Sequence, residues 1–275
     1  MKSMLLFAMA AFSLAAAPSP SLISVRLSMK SDAFVTGESY GAFINVDNSS
    51  ADDIDVGRPG SPDVLFVELF RASDKAQYNR ISNRPFVVSF SLKSGEGLRL
   101  ETVLADHFAF PDTTRYLARA VLVHSGMRYE SSLKSFDVVP GLLDGNAVQM
   151  FKEQPGLKRE YELVHWVRDQ VEHLFLRVKD TGTENRIWRT SDLGPILRVT
   201  PPKISVLKSG EVIVLHRATQ SAFIRSEFWS LPEAFEFHEH EVMADPDTVG
   251  ADRVKELYKE SGGTEPVKKA WWKFW

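Results

Sequence analysis

Leu22-Ile23-Ser24-Val25-Arg26-Leu27-Ser28-Met29 is the stretch that decides the fold class. Successive side chains of an extended chain point to opposite faces, so Ile23, Val25, Leu27 and Met29 share one side while Ser24, Arg26 and Ser28 take the other. An apolar period of two fits a half-buried strand; a helix would repeat its apolar positions at three and four. The pattern recurs downstream. Tyr40, Ala42, Ile44 and Val46 alternate within residues 39–46, and strands are expected at 64–70, 86–92, 98–103, 116–124 and 127–138. Breakers separate them. Asp47-Asn48-Ser49-Ser50-Ala51-Asp52-Asp53 offers side chains that bond their own backbone in place of a ladder. Pro59 and Pro62 withhold donors from residues 57–62. His124-Ser125-Gly126-Met127 has the length and the glycine of a tight hairpin turn.

About seven short strands at this spacing predict a β-sandwich over residues 18–140. Phe34-Val35-Thr36-Gly37-Glu38 leading into a strand, then Asp47-Asn48-Ser49, and a closing Phe136-Asp137-Val138-Val139 carry a resemblance. On these residues the N-terminal half resembles the Ig-like domain of uncharacterised exported bacterial proteins. That resemblance implies an Ig-like fold over residues 22–139 and no activity, since such folds host many functions.

Residues 141–159, with Gly141, Asp144-Gly145-Asn146 and Pro155-Gly156, read as a linker. Residues 160–243 read as a second antiparallel β module holding two propeller-blade-like repeats offset by 38 residues. The offset sets Leu174-Phe175-Leu176-Arg177-Val178 on Val212-Ile213-Val214-Leu215-His216, Leu193 on Leu231 and Val199 on Phe237. Two such units cannot close a ring, so two small sheets face to face, or one meander, are expected. Residues 244–275 read as a short helix, with Val254, Leu257 and Tyr258 on one face and Gly262-Gly263 stopping it, followed by an aromatic tail.

The N-terminus has the pattern of an export signal over residues 1–17. Lys2 precedes an apolar run at residues 4–14, and Ala15-Ala16-Ala17 supplies small residues for cleavage after Ala15 or Ala16, Pro18 hindering a cut after Ala17. The run is too short to span a bilayer. An exported protein in the periplasm, on the cell surface or outside the cell is expected. The chain has no cysteine, which excludes a disulfide framework, a thiolate nucleophile, a cysteine-ligated metal and a lipidated cysteine. Such a chain suits a bacterial envelope. The 18 Phe, 6 Trp and 6 Tyr suffice for a core without covalent staples. Loss of Lys2 with the signal takes 33 basic residues to 32 against 36 acidic ones, net −4. No basic surplus exists to hold nucleic acid.

Catalytic and cofactor signatures are missing from the sequence. There is no G-x-S-x-G elbow, H-E-x-x-H helix or phosphate-binding loop, and Gly95-Glu96-Gly97 lacks its third glycine. No cofactor is expected. His238-Glu239-His240 on a strand would send both imidazoles the same way, with Glu236 on that face, but no further ligand is marked and no metal is expected. Asp106-His107 reads as polar loop surface before it reads as an acid–base pair. Trp166, Trp188 and Trp229 are the candidates for a ligand-stacking platform, although strand aromatics are more often core. Arg177, Lys179, Arg186, Arg189 and Arg198 are interleaved with Glu172, Asp180, Glu184 and Asp192, which makes a mixed solvated face.

The last residues concentrate apolar area. Trp271, Trp272, Phe274 and Trp275, with Lys268, Lys269 and Lys273, would dock on the protein's own sheets, sit at a membrane interface or anchor in an envelope partner. The expectation is an extracytoplasmic, non-enzymatic binding or assembly protein of unknown ligand. The alternative is a secreted hydrolase of polysaccharide or peptide with its site between the two modules.

Overall fold

The computed structural model describes residues 22–58, 60–87, 89–181 and 186–244, with residues 186–188 described by backbone alone. The N-terminal half contains β1 (Ile23–Met29), β2 (Ala33–Val35), β3 (Gly41–Asn48), β4 (Ile54–Val56), β5 (Val64–Arg71), β6 (Gln77–Tyr78), β7 (Phe90–Leu92), β8 (Gly97–Val103), β9 (Arg115–His124), β10 (Met127–Glu130) and β11 (Lys134–Val139). The alternation at residues 22–29 is realised in full. β1 pairs antiparallel with β3, Val25 opposite Val46 and Leu27 opposite Ile44, and β3 pairs with β8, Ile44 opposite Leu100. A second sheet runs β2-β11-β9-β5-β6 with β10 folded back on β9, and β4 pairs with β7 alone.

All three sheets feed one core. Ile23, Val25 and Leu27 meet Leu65, Val67 and Leu69 from β5, Ala118, Ala120 and Leu122 from β9, and Ile54 and Leu92 from the small pair. Tyr116 and Phe136 stack within it, ring centroids 5.7 Å apart. Burying such side chains contributes about 1.5–3 kcal/mol each before the entropy of ordering them is set against it.

This arrangement corrects the Ig-like sandwich expected over residues 18–140. The protein is all-β with several separate, largely antiparallel sheets, none closed or strongly curled. β2, β4 and β6 are two or three residues long, too short for any alternation to show in sequence. β2 pairs parallel with β11, Val35 opposite Val139, a long-range join that no local pattern reveals. The stretch 127–138 is two strands, broken where the Ser131 N–H turns to the Ala120 carbonyl. Phe86 and Val87 are buried without joining a ladder.

The C-terminal half contains β12 (Leu142–Met150), β13 (Lys158–Arg168), β14 (Val171–Thr181), β15 (Arg186–Pro195), β16 (Lys203–Val206), β17 (Glu211–Arg217), β18 (Ala222–Leu231) and β19 (Ala234–Ala244). They form two four-stranded meanders, β12 to β15 and β16 to β19, each in sequence order. Their facing residues share a core. Tyr161, Leu163, Leu174, Leu176 and Val178 pack with Val212, Val214, Phe228 and Phe235.

Two further expectations are corrected here. The proposed linker, residues 141–159, carries β12 and the start of β13. The 38-residue offset sets β14, third in its meander, on β17, second in the other, so it equates strands that are not equivalent. The resemblance arises because both are central, apolar strands, β14 buried continuously from Leu174 to Val178 and β17 at alternate residues, and the propeller-blade-like reading falls with it. The signal peptide and nearly all of the C-terminal helix and aromatic tail lie outside the described residues. Among the described residues a single 3-10 turn, Leu104–Asp106, is the whole helical content.

The halves meet where Val35 and Val139 pack on Val164, Phe175 and Trp166 of the β12–β15 sheet. The Thr190 N–H donates to the Gly37 carbonyl at 3.0 Å and its hydroxyl to the Thr36 carbonyl at 2.7 Å. Gly210 shows why one turn demands glycine. Its φ is +93°, and a Cβ there would stand 3.0 Å from the Ser230 carbonyl oxygen. Gly210→Ala is expected to lower stability by about 1–3 kcal/mol, seen as an earlier midpoint in urea. An unmoved midpoint would mean the turn relaxes freely.

Candidate functional site

β12 is the outermost strand of its meander; β16 approaches it closely, but no strand among the described residues is hydrogen-bonded to its outer edge. A register shift between Leu143 and Gly145 bulges Asp144, and beyond it the alternation is clean. Ala147 and Gln149 turn inward, where Ala147 joins the shared core and the Gln149 amide donates to the Ser230 carbonyl. Val148 and Met150 turn outward, at 47% and 65% exposure, and Leu143 beside the bulge is 61% exposed. Natural edge strands are usually shortened, charged or covered. β12 is nine residues long, and its one charged side chain, Asp144, is bound to His165 at 2.7 Å.

The tryptophans do not assemble a platform. Trp166 packs between the halves with Val139 and Val164, on the outer face of the β12–β15 sheet. Trp229 is half-buried on the outer face of the other meander, its ring edge-on to His238 at 5.9 Å. The two face away from each other across the shared core. Trp188 is placed only as part of β15, and Trp271, Trp272, Phe274, Trp275, Lys268 and Lys269 lie outside the described residues.

Charged groups at the junction of the halves bond one another. Arg168 donates to Glu38 at 2.7 and 2.9 Å and to Asp192 at 2.6 Å, and His173 lies 3.0 Å from Asp192. Burial pushes the Glu38 carboxyl above the ordinary carboxylate range, further than Arg168 pulls it down. Burial also raises Asp192, but His173, Arg168 and the Gly194 N–H outweigh it and leave that carboxyl below its usual range.

His238 and His240 do not point the same way, contrary to the sequence expectation. A register shift between Glu227 and Phe228 leaves His238 as the extra residue of β19. His240 turns to Ser226, 3.0 Å from its hydroxyl, while His238 sits beside Glu227 and Glu239. Arg225 already pairs with Glu227, and His238 and Glu239 are exposed, so this trio is accounted for as surface ion pairing.

The open depression beside loop 53–63 holds a different set. The Asp63 carboxylate lies 2.8 Å from His124 Nδ1, with both side chains buried, and accepts the Asp55 N–H at 3.1 Å. Ser125 Oγ lies 3.4 Å from His124 Nε2. Ser125 is exposed, with φ +50° at the corner of the β9–β10 hairpin. Asp53, Asp55, Arg58 and Ser61 line the remainder of a depression of about 400 Å³. Sequence reading saw only a hairpin turn here. Asp63 is 61 residues from His124, and no spacing links them. By contrast, Asp106-His107 makes no acid–base pair: His107 stacks on Phe86 at 4.0 Å, and burial holds its imidazole below the usual range.

No known protein family matches the chain, and no curated protein matches it. Among solved structures it is similar to Spo0M, a sporulation control protein from Bacillus subtilis, with 9% identity, a TM-score of 0.30 and coverage of 88% of this chain and 98% of that one. A likeness this slight carries no inference.

Proposed function

We propose that the protein is an extracytoplasmic binding or assembly protein that takes an extended segment of a partner along β12. The observation that carries this reading is the free edge of β12, with Leu143, Val148 and Met150 outward and exposed. An added strand would satisfy the unpaired N–H and carbonyl groups of that edge, and its own alternate apolar residues would cover these side chains. Recognition of this kind needs no chemistry. The extracytoplasmic part rests on Lys2 and the apolar run after it. Against a hydrolase acting between the two halves stands the pairing of Glu38, Arg168, Asp192 and His173 with one another.

A photo-crosslinking residue at Val148, in the exporting host, is expected to give a discrete adduct, and one at the exposed Lys208 none. Val148→Lys with Met150→Lys should abolish a partner's binding while changing stability by less than about 1 kcal/mol, since both side chains are already in water. Absence of an adduct at Val148, or partner binding that survives the double substitution, would remove the proposal.

A further inference from the structure

The Asp63–His124–Ser125 set has the polarity of a hydrolytic relay, and nothing in the fold requires that polarity. A loop could be tied to a hairpin by Asp63 and backbone N–H groups alone. Here the carboxylate takes Nδ1 at 2.8 Å, which fixes the proton on that nitrogen and leaves the Nε2 lone pair towards Ser125 Oγ at 3.4 Å. Both Asp63 and His124 are buried, so the ring is held, while Ser125 at the exposed turn meets solvent. A nucleophile, a base in reach of it and a third group orienting the base are the geometric requirements for nucleophilic catalysis.

We infer that Ser125 is the nucleophile of an acyl-ester hydrolysis site, with His124 its general base and Asp63 the residue that positions His124. In the forward step Ser125 Oγ bonds the acyl carbon as its proton passes to His124 Nε2. The acyl–alkoxy bond then breaks, and the departing oxygen takes that proton. Water repeats the sequence on the acyl-serine, giving a carboxylic acid and free Ser125. Arg58 lines the same depression and would offset the negative charge that develops on the acyl oxygen. Asp55 holds the Arg58 guanidinium at 3.2 Å. Asp53, Asp55 and Asp63 together disfavour an anionic acyl group, and an open, polar-lined depression gives a long chain nothing to pack on. The substrate class is therefore short, uncharged acyl esters. The site lies within the N-terminal half, away from the junction between halves, and is independent of the β12 reading. It departs from the expectation of a wholly non-enzymatic chain.

The test uses the full chain with a fluorophosphonate probe and with 4-nitrophenyl acetate. Peptide mass spectrometry should find the probe on Ser125, and ester turnover should fall by about 100-fold or more in Ser125→Ala. That variant sits in an exposed turn and should melt as the native chain does. Asp63→Asn should slow labelling of Ser125 and displace its pH midpoint, which a loss of loop packing alone would not do. If turnover is the same in native and Ser125→Ala protein, or if the probe leaves Ser125 unmodified, the inference is overturned.

Discussion

Replacing Arg159 by alanine is expected to lower stability by about 3–5 kcal/mol, the range for stranding a buried charge partner. Arg159 is 0% exposed on β13, and its whole guanidinium fork is used. Nε and Nη2 donate to the two Asp180 oxygens at 2.7 and 3.3 Å. Nη1 donates to Ser230 Oγ at 3.0 Å and to the Leu231 and Ala234 carbonyls at 2.8 and 3.2 Å, and Nη2 to the Pro232 carbonyl at 3.1 Å. The last turn of one meander is thus bonded to the second strand of the other. Phe151 lies under the same group at 5.0 Å. Truncation leaves three carbonyls and a carboxylate without these donors beside the shared core, and a cavity where the side chain was. Arg159→Lys should be only partly better, because an ammonium has three donors in no fixed fork and cannot match six acceptor contacts. Urea unfolding at neutral pH reads both. A loss under about 1 kcal/mol for alanine would mean that water enters and replaces the fork, and that the two meanders are held by their apolar contacts alone.

Arg159 also marks where sequence reading ended. The alternation that signals β13 is plain, since Tyr161 and Leu163 are inward, and Arg159 shares their side. In the sequence Arg159 falls within the linker read over residues 141–159, and no local pattern finds Asp180 or residues 230–234 for it. The strands legible beforehand were those with long alternation: β1, β3, β5, β8 and β9. Gly141 and Asp144-Gly145-Asn146 mimic a turn, so β12 reads as a linker in the sequence. In the structure Gly141 has φ +69° with Val164 close by, and the bulge at Asp144 absorbs the remainder of the irregularity. A bulge breaks the period that would have announced the strand. The same mechanism misplaced His238 relative to His240. Asp63, His124 and Ser125 could not be read together at all, because pairing between distant loops leaves no local trace.

Between pH 6.5 and about 3, the chain should lose about 4–5 kcal/mol of stability through one imidazole, His216, at about 1.4 kcal/mol per pH unit of difference between its folded and unfolded affinities for a proton. His216 is the third inward residue of β17 after Val212 and Val214, 2% exposed, and neither ring nitrogen makes a hydrogen bond of ordinary geometry. Burial depresses its proton affinity to about 3, helped by His240, while the Pro195 carbonyl and Asp192 pull weakly the other way. Unfolded, it takes a proton near 6.5, so below that value the unfolded chain holds more protons than the folded one. The stability is complete above pH 6.5 and drains as pH falls towards 3. His240, also depressed by burial, adds in the same direction, whereas Glu38, raised by burial, opposes it. Asp192, held low, loses its share only in stronger acid. These groups are common to native protein and His216→Leu, so the difference between the two isolates His216. The leucine variant removes two unpaired buried nitrogens and should be as stable as native at pH 7, or more so by about 1–2 kcal/mol. Its stability should fall less steeply between pH 6 and 4, by close to one proton. Equal slopes for the two proteins would show that water reaches the ring, and that the space between the meanders at β17 is not dry.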